Sequence, residues 1–519
     1  MKRLLSILAL ATLAFSGHAT ATAADAPALY NQHCLACHGA GRLGGMGPAL
    51  LPESLERLKR KDAVATIRDG RTATQMPPFG QTLQPDEIEA LTGWIYSPVS
   101  PAPAWGEADI RASRVEPFPR GSLPDARQGE VAKADPMNLF IVVEAGDHHV
   151  SVLDGDRMAR IHRFPSRYAL HGGPKFTPDG RYVFFASRDG WVSKFDIWNL
   201  KVVAEVRAGL NTRNAAVSSD GRYVAVANYL PGNLVIFDAD LKLLKVIDGR
   251  NLKGDVGSRI SAVYDAAPRR SFVAALKDIP ELWEVSYDPG AEDIAAGFIH
   301  DYQYKEGAFI PGFLNPRRSP LEHVLDDFFF TQDYTEVLGT SREGRGQVVN
   351  LDARRKVADL SLDGMPHLGS GISWLLDGRR VAASTHLKDP KLSVIDLKSW
   401  QTVATIPTLG PGFFLRSHEN SPYAWVDSMM SPTAKDTLQI IDKQKLQVVA
   451  QVREPGKTFA HVEFDRYGRY VIASLMEKDG ALIFLDATTF KEIKRLPASK
   501  PIGKYNLFNK IQRSEGTSH

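Results

Sequence analysis

Asp179-Gly180-Arg181-Tyr182-Val183 decides the fold, because the phrase comes back. Asp220-Gly221-Arg222-Tyr223-Val224, Asp377-Gly378-Arg379 and Tyr467-Gly468-Arg469-Tyr470-Val471 repeat it further along the chain. Each is a tight turn feeding a β-branched and aromatic run, the signal of a hairpin. A second phrase alternates with it, a hydrophobic run closed by aspartate. Its copies end at Asp154, Asp196, Asp238, Asp352, Asp396, Asp442 and Asp486, with a weaker one at Asp288. Where regular, they stand about 42–46 residues apart, the length of a four-stranded propeller blade. Eight units predict an eight-bladed β-propeller over residues 134–519, with its least regular blades in the stretch 240–350. The Asp-Gly-Arg phrases are turn chemistry and not ligands.

Working back toward the N-terminus, residues 24–98 read as a small all-α domain built on Cys34-Leu35-Ala36-Cys37-His38. The pattern C-x-x-C-H is the attachment signature of a c-type heme. Two thiols on one helical turn can form thioethers to the vinyl groups, and the following His38 becomes the proximal iron ligand. Cys34 and Cys37 are the only cysteines of the chain. A zinc site would need further ligands at finger-like spacing, and a redox dithiol is the other plain reading. Helical patterns follow over 62–67 and 85–96, the latter with acidic residues in its first turn. Between them lies Gln75-Met76-Pro77-Pro78-Phe79. A Met-Pro-Pro loop at this distance supplies the sixth, thioether ligand in class I c-type cytochromes. Met76 is therefore the expected ligand and Met46 its competitor.

Residues 99–133 are proline-rich at their start and read as a semi-rigid linker. Residues 1–23 carry Lys2 and Arg3, an apolar run from Leu4 to Phe15, and Ala21-Thr22-Ala23. That is the pattern of a secretory signal peptide. With covalent heme it places the mature protein in a bacterial periplasm. The chain has 519 residues, 43% of them hydrophobic and 24% charged, with a net charge of +3. Such a balance is ordinary for a globular protein and gives no argument for nucleic acid. No stretch is long and apolar enough for a transmembrane segment.

A c-heme domain joined to an eight-bladed propeller resembles the cytochrome cd1 family, whose propeller binds heme d1. Particular phrases carry the resemblance across essentially the whole mature chain. Arg167-Tyr168-Ala169-Leu170-His171 and Ser187-Arg188-Asp189-Gly190 look like the segment holding the proximal d1 ligand, which makes His171 that candidate. Pro366-His367-Leu368-Gly369-Ser370-Gly371 and Ser384-Thr385-His386-Leu387 look like the segment over the distal face. Gly410 to His418 and Pro501-Ile502-Gly503-Lys504-Tyr505-Asn506 also match.

Two activities of the family compete. Nitrite reduction to NO uses two distal histidines as proton donors, and the corresponding positions here read as Tyr334 and Trp374. Neither donates a proton readily near neutral pH. The sequence is more similar to the branch that makes heme d1 by oxidising a propionate of dihydro-heme d1 to an acrylate. By that resemblance His367 is a distal iron ligand opposite His171, and His461 is the catalytic base. A neutral imidazole suits removal of a carbon-bound proton, and the c-heme can pass electrons on singly. Arg188, Arg213, Tyr229 and Tyr264 fall where family members hold the d1 side chains. His418, beside Arg416, reads as a pocket-shaping residue. The resemblance implies two partners, the cytochrome cd1 nitrite reductase as product acceptor and a periplasmic electron acceptor. A non-catalytic heme d1 carrier is the alternative from another class.

Overall fold

The computed structural model describes residues 24–514 apart from 56–57, 72–75, 171–172, 302 and 342. The signal-peptide reading of 1–23 and the proximal-ligand reading of His171 lie outside the described residues. No helix among those described is long and apolar enough to cross a membrane.

Short helices open the chain at Ala26–His33 and Leu35–His38, followed by Pro52–Leu55, Arg60–Asp69 and Pro85–Ile95. The last of these starts on Pro85, and Glu87 accepts a hydrogen bond from the Gln84 backbone at 2.8 Å. That capping box satisfies donors a helix start leaves unpaired. Tyr30, Leu55, Ile67, Leu83, Ile88, Leu91 and Ile95 form the core of this part.

Eight four-stranded antiparallel sheets follow, so the propeller read from the repeats is present. In seven of them the strands run in chain order from the axis outward. In the remaining sheet Pro501–Asn506, the last strand of the chain, pairs with Leu139–Glu144 and closes the ring. Fourth strands such as Gln447–Arg453 alternate exposed and half-buried residues and form the rim, while first strands such as Phe459–Phe464 are buried throughout. The blades are glued by apolar layers between neighbouring sheets, with Trp283 and Trp425 among the largest fully buried side chains. Each such side chain contributes roughly 1.5–3 kcal/mol by leaving water.

The repeated phrases have simple structural meanings. Asp-Gly-Arg joins first to second strand: Asp179 and Asp220 each accept from the backbone N–H two residues on, and Gly180 and Gly221 take φ of 69° and 68°. The closing aspartates join third to fourth strand. Asp396 accepts from the backbones of Lys398 and Ser399, and Asp442 and Asp486 do the same in their turns. The irregular stretch 240–350 has a physical cause. A separate two-stranded hairpin, Ile294–Asp301 with Glu306–Ile310, is inserted between the third and fourth strands of one blade, displacing the fourth to Pro316–Pro320.

The segment expected as a semi-rigid linker is laid onto the propeller. It contains a helix, Glu107–Ser113, whose Ile110 is buried in an inter-blade core. The Trp105 indole donates to the Arg207 carbonyl at 3.0 Å, and Val115 pairs with Glu205. A single apolar residue per turn was too little pattern to reveal this docking.

Candidate functional site

In the N-terminal part, Cys34 and Cys37 flank one helical turn as free thiols, and His38 ends it. The His38 Nδ1 lies 2.8 Å from the Pro48 carbonyl. That hydrogen bond makes Nδ1 the protonated nitrogen and leaves the lone pair on Nε2, the arrangement an axial imidazole needs. Gly47 lets the loop close over the ring, since a Cβ there would stand 2.7 Å from His38 Cε1. Burial, then the neighbouring Cys37, pushes the Cys34 thiol up to about 11. A reactive dithiol needs the opposite shift. These residues fit a covalent heme c. Met76 packs in the same cluster as Cys34 and Phe79, which does not include Met46.

The second constellation sits at the propeller axis, where the first strands begin and the loops between second and third strands gather. His367 precedes the strand Ile372–Leu376. Its Nδ1 donates to the Phe413 carbonyl at 2.8 Å and lies 2.9 Å from the Ser370 hydroxyl. The ring packs on Phe413 with centroids 4.2 Å apart. Nδ1 being engaged, the neutral ring carries its lone pair on Nε2, as a metal ligand would. Burial holds its pKa below the ordinary histidine value.

His461 differs in every respect. It lies in a bulge of Phe459–Phe464, where the pairing register shifts between Ala460 and Glu463, and its φ is 51°. A left-handed residue within a strand is strained, and such strain concentrates at functional positions. The side chain is fully buried between Phe414 and Tyr505, with ring centroids 4.3 and 5.2 Å away. Its Nε2 has no hydrogen-bond partner among the described residues. Lys504 donates to the His461 carbonyl and, at 2.8 Å, to Ser474, with its Nζ 3.4 Å from His461 Nδ1. Burial first, then the charges of Lys504, Arg416 and Lys510, hold the imidazole well below its ordinary pKa, so it is neutral at neutral pH.

Cations surround both histidines. Lys175 and Lys510 are both brought down to about 7, by burial first and then by neighbouring positive charges that include Arg416 and Arg513. Arg213 sits 3.9 Å from Asp327, whose other oxygen accepts from Tyr264 at 2.7 Å. Lys277 donates to Tyr229 at 2.8 Å and to Asp326 at 2.6 Å. Burial would raise the Tyr229 phenol, but Lys277, Arg213 and Arg188 outweigh it and hold it below its ordinary value. Arg188, Arg213, Tyr229 and Tyr264 are thus brought together, and Arg213 acts electrostatically on His367 as well. The Arg416 Nε is buried without a hydrogen-bond partner among the described residues. A channel with this cation excess and unmet inward-facing polar atoms fits a macrocycle carrying carboxylates.

Two expected positions are corrected. Trp374 lies in the packed layer between blades, where its indole donates to the Lys443 carbonyl at 2.9 Å. Tyr334 packs in another inter-blade core, against Phe330. Large aromatics at these points of the repeat fill blade interfaces, so neither stands with His367 and His461. His418 accepts from the Asn420 backbone at 3.1 Å and packs on Phe464. Lys175, Lys277, Asp327, Lys510 and Arg513 were missed from the sequence. The available signal was a charged residue at the start of a first strand, directly after a second strand, or in the C-terminal helix Leu507–Gln512 and just after it.

Comparison with known proteins bears on both constellations. Residues 134–510 match the family model described as the cytochrome D1 heme domain, and residues 21–95 match cytochrome C oxidase, cbb3-type, subunit III. A dihydro-heme d1 dehydrogenase of Pseudomonas aeruginosa is 53% identical over 506 residues, 96% of this chain and 97% of that protein. A solved structure of dihydro-heme d1 dehydrogenase NirN in complex with DHE aligns at a TM-score of 0.80, covering 94% of this chain and 99% of that one. A nitrite reductase of Stutzerimonas stutzeri is 23% identical across 93% of this chain and 92% of its own length.

Proposed function

The chain belongs to the cytochrome D1 heme domain family, and on that premise we propose the dehydrogenase that completes heme d1. The protein oxidises a propionate side chain of dihydro-heme d1 to the acrylate of heme d1. Two electrons and two protons leave adjacent carbons of the side chain as the double bond forms. When bound, heme c supplies a one-electron acceptor for those electrons.

The observation that carries the reading is the buried, strained His461 with its unpaired Nε2 in a cation-lined channel. In our reading this nitrogen takes the carbon-bound proton. A base must be neutral to act, and burial, reinforced by the surrounding cations, keeps it so. Substrate carboxylates entering beside Lys504, Arg416 and Lys510 offset those charges and raise its proton affinity when it is needed. His367, oriented by Phe413, serves as distal iron ligand, with His171 as proximal ligand. A closed iron suits chemistry at the ring periphery and opposes nitrite binding. Arg188, Arg213, Tyr229 and Tyr264, together with Lys175 and Lys510, hold the carboxylates. His38 and Met76 would hold the iron of heme c, with Cys34 and Cys37 as its attachment points. The working compartment is the periplasm, the product passes to the cytochrome cd1 nitrite reductase, and a periplasmic acceptor reoxidises heme c.

The test is anaerobic mixing of the purified protein with dihydro-heme d1 and an oxidant, followed by absorption spectroscopy of the extracted tetrapyrrole. Conversion to heme d1 is expected. Tight binding without conversion would turn the protein into a carrier.

A further inference from the structure

Asp427 ends the second strand of the seventh blade, Tyr423–Asp427, and is almost wholly buried. A buried carboxylate is costly unless its oxygens are met by donors. Here the donors are backbone amides on either side of the same blade's first two strands. One oxygen accepts from Phe413 at 2.9 Å and from Met429 at 3.2 Å, and the other accepts from Phe414 at 3.0 Å. The backbone of His461, from the eighth blade, lies close enough to act electrostatically on this carboxylate. No salt-bridge partner lies within reach of it among the described residues; its nearest positive influence is the buried Lys504. Burial lifts its pKa to about 6 against the pull of these amides, so it is ionised at neutral pH.

The amides it holds lead to both histidines. Phe413 presents the carbonyl that orients His367, and its ring packs against that imidazole. Phe414 packs against the ring of His461, whose own backbone is held at φ 51°. A carboxylate binding several amides makes charge-assisted hydrogen bonds, about twice as strong as neutral ones. Such bonds fix the Phe413–Phe414 backbone against which both imidazoles rest.

We propose that Asp427 is a positioning residue that sets the distal histidine and the base against each other, by clamping the Phe413–Phe414 backbone, whose carbonyl orients His367 and whose Phe414 ring packs on His461. The inference rests on the reading of His367 as iron ligand and His461 as base. Asp427 touches neither imidazole and acts through main chain only. It therefore couples the geometry of the iron to the geometry of proton removal, across the interface between two blades.

The experiment uses the full-length protein carrying its heme c, with dihydro-heme d1 as probe. D427N keeps the shape of the side chain and removes the charge and one acceptor. We expect its dissociation constant for dihydro-heme d1 to stay within about threefold of wild type. Its kcat falls about 10–100-fold, the usual scale for losing an orienting partner, and the low-spin spectrum of the bound iron is weakened in the same protein. D427E, which retains the buried charge one methylene further out, shows both losses in milder form. A merely structural aspartate would lower thermal stability and leave kcat and the spectrum of the folded fraction unchanged. Wild-type kcat and spectrum in D427N, or loss of only one of the two in either variant, overturns the proposal. H367A and H461A run in parallel. Wild-type behaviour from either of these condemns the underlying site reading, whereas their failure beside a normal D427N condemns Asp427 alone.

Discussion

The two ends of the propeller are built from the same strands and obey different rules. At one end lie the turns from first to second and from third to fourth strand. There Asp179, Asp220, Asp396, Asp442 and Asp486 each hold local backbone amides, and the same phrase returns blade after blade. At the other end the first strands begin, and from there along them no such phrase repeats. Lys175, Arg213, Asp327, His367, Arg416, His461 and Lys504 each come from a different blade or its entry. Repetition marks where the fold is solved by local chemistry. Its absence marks where eight blades contribute to one object.

That contrast can be broken most directly at His461. H461A should lower turnover of dihydro-heme d1 by about 10²–10⁴-fold, the range for a positioned acid–base group, while binding persists in an absorbance titration. An equal loss of binding would make His461 a packing residue like those of the turn end.

The cations around these residues should show themselves through pH. Lys175 and Lys510 are brought down to about 7 in the unliganded protein. Bound carboxylates favour the charged ammonium, so affinity is greatest below pH 7 and declines as pH rises through and above it. Linkage sets the limit at about tenfold per pH unit for each lysine, read from dissociation constants between pH 6 and 9. K175M with K510M should flatten this dependence.

His461 titrates the other way. Its folded pKa lies well below the ordinary 6.5, so the base remains neutral as pH falls through 6.5. The acid limb of kcat/KM for dihydro-heme d1 should therefore appear only at lower pH. A limb centred at 6.5 would mean that neither burial nor the surrounding cations act on it.

The smallest effect belongs to the turn end. D442A removes acceptors for two backbone amides and should cost about 1 kcal/mol of stability, measured by denaturant midpoint, with kcat unchanged. A change in kcat there would erase the distinction between the two ends.

Periodicity and a contiguous motif were enough for the architecture. Turn residues, strand length and the C-x-x-C-H run act over a few neighbours, so an eight-bladed propeller and a heme c helix could be read from the chain directly. The inserted hairpin between Ile294 and Ile310 blurred one blade because it breaks the period without breaking the sheet. The docked helix Glu107–Ser113 was invisible because its meaning lies in one buried isoleucine. At the site, the resemblance supplied His367 and His461 as positions. It could not say that one has its Nδ1 tied to a carbonyl and the other an unpaired Nε2 on a strained backbone. Those differences, the cations that depress His461, and the carboxylate of Asp427 between blades are made by residues tens to hundreds of positions apart. Hydrogen bonds and charge act through space, and only the closed ring brings these groups within their range.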